Sequence, residues 1–319
     1  MKLLICYLTD SRRHYTFEPF LHFILQSKRK TSWTLAILTH EDDCAFYHSR
    51  VASLDINSVI VQVEPDNNYL HKVSTAAQMA EKQQIPYVMK CDNDLFFSGE
   101  TLDYMIDHLD LLEQNTHLTL GPVLTNGIPT VEYFIRDFME PSARNELHRR
   151  FLETRFVFRD GADYTPLNEH TLDSLEWCPD AFFDSVAQLP IYYKGMHPIR
   201  MNPSANHYLN NYVVSHAREF FKRTPTGIIG DNRAPYLCNS VFCIRTSTYL
   251  SILRDISLFV DGYDEVPLNK WAEKTGLRHA YVENGFAFHM MYNWVGNHLE
   301  YERQICASMF ESPTPEKNA

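Results

Sequence analysis

The first 130 residues alternate short apolar runs with stretches whose apolar positions recur every three or four residues. Lys2 to Tyr7 predicts a first strand, and Phe17, Phe20, Leu21 and Ile24 give the next segment a helical stripe. Trp33 to Leu38 predicts a second strand, and Val59 to Val63, rich in β-branched residues, a third. Val73, Ala76, Ala77 and Ala80 mark an amphipathic helix that leads into a fourth apolar run from Pro86. Leu102, Met105, Ile106, Leu109 and Leu112 return to helical spacing, and Leu118 to Pro122 predicts another strand. Strands that alternate with helices predict an α/β fold, with a mostly parallel sheet covered on both faces.

From about Glu132 to Arg233 the pattern is less regular, and most of the candidate loops are expected there. Arg159 to Asp180 is acidic and turn-rich, while Lys194 to Arg200 and Thr224 to Gly230 carry glycine and proline breakers. Such loops serve as lids or substrate loops, or simply tolerate insertion. Regularity returns with a strand at Ser240 to Ile244, a helix at Thr246 to Arg254 and an apolar strand-like run from Tyr281. Between them, Leu268, Trp271 and Ala272 predict a helix with Pro267 at its first position and Gly276 just past its end. Ser312 to Ala319 has the composition of a disordered tail.

Composition narrows the function classes. A chain of 319 residues and net charge -11 lacks the basic surface a general nucleic-acid binder needs. An anionic substrate that arrives with its own divalent cation stays compatible. Seven cysteines without paired short spacing read as scattered thiols in a reducing compartment. The apolar start at Met1 to Tyr7 is broken at once by Thr9, Asp10, Ser11, Arg12 and Arg13, too soon for a signal peptide. No apolar stretch approaches the ~20 residues of a membrane span. The expected location is the cytoplasm, and peripheral contact with a membrane stays compatible.

The fourth apolar run ends in Asp92-Asn93-Asp94. In an open α/β sheet ligands bind outside the carboxyl ends of the strands, so two acids there face a ligand site. Adjacent carboxylates repel unless a cation sits between them, and hard oxygen donors suit Mn²⁺ or Mg²⁺. The bland alternative is a solvated turn, for which Asp and Asn are common residues. A second acidic pair, Asp264-Glu265, precedes the helix that closes on Gly276. It can cap that helix or supply a general base. His289, at the end of the last strand-like run, can complete a divalent shell or be an ordinary buried imidazole. Trp271, Tyr292 and Trp294 can stack on sugar rings or pack in the core.

Taken in order, the alternating half, Asp92-Asn93-Asp94 on the fourth strand, the later Asp264-Glu265 pair and a C-terminal His289 resemble glycosyltransferases of the GT-A fold. The resemblance implies one catalytic domain over residues 1–311, with a nucleotide-sugar half at 1–130 and an acceptor-side half at 131–311. It implies Mn²⁺ or Mg²⁺ held by Asp94, Asp92 and His289, with His298 a weaker candidate, and Asp92 also near ribose or sugar. Glu265 or Asp264 is implied as the base of an inverting transfer. Thr9, Asp10, Lys72, Asn93 and Gly121 fall where members of the family contact the donor. The implied donor is a nucleotide-diphosphate sugar, a UDP-sugar on family grounds. The implied acceptor is a glycan, glycolipid or protein hydroxyl.

Other readings are weighed on residues. Phe96 stands where haloacid dehalogenase phosphatases carry Thr, and the pair lies on the fourth strand rather than the first. Leu8 to Tyr15 holds no glycine, unlike the phosphate loop of a sugar-phosphate nucleotidyltransferase. The Gln-x-x-Arg-Trp signature of processive synthases is missing. A non-catalytic carbohydrate-binding protein on the same fold and a sugar-phosphate nucleotidyltransferase stay as the alternatives.

Overall fold

Strand β1 (Leu3–Leu8) is buried at every position, and so is β2 (Trp33–Thr39). Their side chains alternate between two separate cores. Leu3, Ile5, Tyr7, Leu35 and Ile37 join one core; Leu4, Cys6, Leu8, Ala36 and Leu38 join the other. A continuous apolar run is therefore two period-two stripes, each needing its own cover. The computed structural model describes residues 1–63, 69–127, 130–153, 203–230, 237–259, 262–290, 292 and 297–310.

Nine strands form one sheet among the described residues, in the order β3-β2-β1-β4-β8-β6-β9-β5 with β7 also on β9. The rest are β3 (Ser58–Gln62), β4 (Tyr87–Asp92), β5 (Leu95–Phe97), β6 (His117–Leu124), β7 (Gly227–Ile229), β8 (Val241–Arg245) and β9 (Arg278–His289). Strands β3, β2, β1 and β4 run parallel, as do β6 and β9; β8, β5 and β7 oppose their neighbours. This is the mixed α/β, mostly parallel sheet with both faces covered that the pattern of strands and helices predicts.

Helices α1 (Phe17–Ile24), α2 (Cys44–Val51), α4 (Gly99–Asp107) and α5 (Thr130–Phe138) cover the first core. They are joined there by α6 (Pro141–Glu153), α7 (Pro203–Phe220) and α10 (His298–Phe310). Helices α3 (Tyr69–Lys82), α8 (Thr246–Arg254) and α9 (Glu265–Thr275) cover the second. Helices α5, α6 and α7 give the less regular stretch 132–233 more helix than its pattern suggests, because their apolar positions are diluted by His, Asn, Arg and Tyr. Arg159 to Asp180, Lys194 to Arg200, Trp294 and the expected tail lie outside the described residues. No described helix is long and apolar enough to cross a membrane.

One buried group on β9 ties stability to pH. His279 bonds Thr119 Oγ1 through Nδ1 at 2.8 Å, and its Nε2 has no partner among the described residues. Burial, reinforced by His117, pushes its pKa down to about 3. The unfolded chain thus binds a proton near pH 6.5 that the fold refuses, so stability is complete above that pH and falls as the solution acidifies toward 3. By pH 5 this single group should cost about 2 kcal/mol, at ~1.4 kcal/mol per pH unit. Urea unfolding at pH 7 and pH 5 should show a smaller acid loss for His279→Gln than for the wild type. Equal losses would exclude this origin.

Candidate active site

The register of three strands assembles the site. Leu8 at the end of β1 lies opposite Asp92 at the end of β4, so Thr9 and Asp10 leave the sheet beside the acidic pair. Asn93 and Asp94 form the turn into β5. Leu95 on β5 faces His289 on β9, and the Met290 N–H donates to the Asp94 carbonyl at 2.9 Å. The C-terminal histidine is thereby delivered to the turn by an antiparallel pairing that begins one residue after Asp94. On the other side of β4, the Asp92 N–H donates to the Ser240 carbonyl at 3.0 Å, which places Asn239 and Ser240, just ahead of β8, against the motif.

A cavity of about 380 Å³ opens at this point, lined by Thr9, Asp10, Lys72, Asp92, Asn93, Asp94, Glu265 and His289, together with Arg13, Asn239 and Tyr263. A larger groove of about 700 Å³ between α1, α7 and α10 contains none of these acids or His289. Chemistry rather than size therefore selects the smaller cavity.

Asp92, Asp94 and His289 offer ligand atoms that all lie within 4.8 Å of one another. His289 Nδ1 faces Asn126 Oδ1 at 2.8 Å, and the Asn126 amide donates back to the His289 carbonyl at 2.9 Å. With Nδ1–H donated to Asn126, Nε2 faces Asp94 Oδ1 3.4 Å away; a doubly protonated ring donates Nε2–H to that carboxylate, and a bound cation would take the place of that proton and meet the Nε2 lone pair. Two carboxylates and an imidazole with its second nitrogen fixed fit Mn²⁺ or a similar borderline cation.

Two cations missed by the sequence reading shape this centre. Lys90, only 1% exposed, reaches Asp92 Oδ1 at 2.5 Å and donates to the Asn239 carbonyl at 2.6 Å. Burial opposes its charge, but Asp92 and then Asp264 raise its pKa above the ordinary lysine value. Arg13 holds Asp94 Oδ2 at 3.3 Å while its other edge forks onto Glu302 of α10, a fully buried carboxylate that also accepts from Tyr15. Burial raises the Asp92 pKa, with Lys90 pulling the other way; at Asp94 burial is outweighed by His289 and Arg13, which hold its carboxyl below the usual range. Asp94 is thus the better anion of the two.

The remaining expected residues separate into those the cavity gathers and those it does not. Lys72 donates to the Thr9 carbonyl at 2.9 Å, Thr9 Oγ1 donates to the Leu38 carbonyl, and Asp10 caps the following turn through the Arg12 N–H. Asn93 Nδ2 is buried without a partner among the described residues. Glu265 lines the cavity with Oε2 on the Asn239 N–H at 3.1 Å. Asp264 does not line it. It is fully buried and accepts from Tyr69, Asn239 and Tyr249, so it is an anchor and is not placed to meet an acceptor hydroxyl. It occupies the N-cap position of α9 without capping through its side chain, and the helix starts at Glu265 rather than Pro267.

Gly121 also lies away from the cavity. It sits inside β6, where a Cβ would stand 3.1 Å from the Val241 carbonyl, so its small size serves strand packing. Tyr292 is buried and bonds Asn211, and Trp271 packs at the edge of the second core. The aromatic ring at the mouth is instead Tyr263, 56% exposed and paired with Tyr69 at 5.3 Å.

No protein-family model matches the chain, and no curated protein matches it. Among solved structures it is similar to S. aureus TarS in complex with UDP-GlcNAc, at 18% identity over 39% of this chain and 34% of that one, with a TM-score of 0.29. It is similar to GalNAc-T7 with UDP, GalNAc and Mn²⁺ at 9% identity, over 90% and 43% of the two chains, TM-score 0.45. It is also similar to 4-diphosphocytidyl-2C-methyl-D-erythritol synthase from Anaerococcus prevotii at 8% identity, over 95% of each chain, TM-score 0.45. The chain spans under a quarter of TarS, about a third of the TarS 1–349 segment seen with UDP-GlcNAc and under half of GalNAc-T7. At these TM-scores the likenesses carry no argument about chemistry.

Proposed function

We propose that the chain is a divalent-metal-dependent glycosyltransferase that moves a sugar from a nucleotide-diphosphate sugar, a UDP-sugar, to a hydroxyl acceptor of a glycan, glycolipid or protein, with inversion. The observation that carries this reading is the meeting of Asp92, Asp94 and His289 with Glu265 in one cavity at the carboxyl ends of β1 and β4. A divalent ion held by Asp94 and His289, with Asp92, would offset the negative charge that develops on the leaving diphosphate. Arg13 and Lys72 add fixed positive charge on the same wall. Asn93 Nδ2 and the residues at the end of β1 lie where the nucleotide side of the donor would sit.

Glu265 takes the proton of the acceptor hydroxyl as its oxygen bonds to the anomeric carbon. The bond from that carbon to the diphosphate breaks with its electron pair leaving on phosphate. Attack from the face opposite the diphosphate inverts the centre. Residues 1–130 then hold the donor, and the later half, through Glu265 and the exposed ring of Tyr263, receives the acceptor.

A panel of nucleotide sugars with and without Mn²⁺, read by donor hydrolysis and by thermal shift, tests the reading. A response to one UDP-sugar that needs the metal is expected; silence from every donor would sink it. Glu265→Gln should lower turnover roughly 10²-fold, the low end for loss of a general base, with UDP binding retained. An unchanged rate would remove Glu265 from the chemistry.

A further inference from the structure

Asn239 touches three parts of the site at once. Its N–H donates to Glu265 Oε2 at 3.1 Å, and its carbonyl accepts from Lys90 Nζ at 2.6 Å. Its side-chain amide donates both hydrogens, to Asp264 Oδ1 at 2.6 Å and to Tyr69 Oη at 3.1 Å. Asp264 is itself fastened by Tyr69 on α3 and Tyr249 on α8. The next residue, Ser240, accepts from the Asp92 N–H and faces His289 Nδ1 at 3.4 Å.

We infer that Asn239 is a positioning residue for the proposed reaction: anchored by its side chain on buried Asp264, it holds its own N–H against Glu265 and its own carbonyl against Lys90. The inference rests on reading Glu265 as the acceptor-activating base. A single rigid residue thus sets the distance between the base and the Lys90–Asp92 pair at the metal centre. The chemistry of the position explains its identity. Aspartate there would press a second carboxylate against Asp264 with no cation between them. Alanine would release the peptide from its anchor and deprive Asp264 of one donor. Misplacing a reacting group by about 1 Å can cost about 10²-fold in rate, so a loose peptide should appear in turnover before it appears in donor binding.

The test places Asn239→Ala and Asn239→Ser in the wild-type and Glu265→Gln backgrounds. Hydrolysis of the best UDP-sugar of the panel is measured beside calorimetric binding of UDP with Mn²⁺. In the wild-type background Asn239→Ala should lower kcat by about 10- to 100-fold, with KM and UDP affinity within about threefold. In the Glu265→Gln background the same change should cost no more than about twofold, because the residue it acts through is already gone. Asn239→Ser, which keeps a donor, should fall between the two and stands in if the alanine variant does not fold. Equal losses in both backgrounds, or UDP affinity falling in step with kcat, would overturn the inference. Wild-type turnover by Glu265→Gln alone would instead refute the assignment of the base. A crystal structure of either Asn239 variant decides independently of activity: displacement of the Glu265 carboxylate from the residue-239 N–H supports the inference, and an unchanged contact overturns it.

Discussion

Asp94→Asn is expected to reduce sugar-nucleotide turnover by on the order of 10³- to 10⁴-fold, more than the Glu265→Gln change, while the protein still folds. The amide keeps the shape of the side chain and removes only its charge. Arg13 stays forked on Glu302, so the tie between the turn after β1 and α10 survives. What is lost is the anion that His289 and Arg13 hold ionised. The thermal shift caused by Mn²⁺ should disappear with it, since ligand stabilisation follows the ratio of free ion to dissociation constant. Near-normal turnover with metal present, or an undiminished Mn²⁺ shift, would show that Asp94 does not hold the ion.

Much of this frame was legible before any coordinates. Strands β1, β2 and β4 were readable as continuous apolar runs buried on both faces, half-buried β3 from its β-branched residues, and helices α1 and α3 from one apolar stripe each; their order placed Asp92-Asn93-Asp94 at the mouth of the sheet. The Asp264-Glu265 pair was readable as a pair, but its division of labour was not. Which carboxylate faces the cavity depends on Tyr69 and Tyr249, which lie on other helices and reach Asp264 only through the fold. Gly121 was misread for a related reason. A glycine in an apolar run marks close approach of something, and here it is the β8 backbone rather than a sugar.

The residues that were missed carried signals of a weaker kind. Lys90 is a lone charge inside the buried run Tyr87–Cys91, which a fully covered strand tolerates only with a partner. Its position two residues before Asp92 puts both side chains on the same face of β4. Asn239-Ser240 is a polar pair directly ahead of a buried strand, and only the β4–β8 register reveals what it touches. Glu302 gave no signal, because α10 is amphipathic only weakly and the partner of that carboxylate lies 289 residues away.

Lys90→Met should then be the most destabilising single change at the site, by about 3–5 kcal/mol at neutral pH. Methionine fills the volume but leaves the Asp92 carboxylate without its cation and the Asn239 carbonyl without its donor. Two outcomes separate this electrostatic cause from a packing defect. First, burial already raises the Asp92 pKa, and removing Lys90 raises it further; the folded variant then takes up a proton more readily than the unfolded chain, so its deficit should shrink as pH falls from 7 to 5. A packing defect would be indifferent to that change. Second, added Mn²⁺ should raise the melting temperature of Lys90→Met more than that of the wild type, because the ion would replace the missing charge beside Asp92. A variant as stable as the wild type in urea unfolding, or a deficit that neither acid nor Mn²⁺ narrows, would mean that Lys90 is not the counter-ion that lets the two carboxylates share this turn.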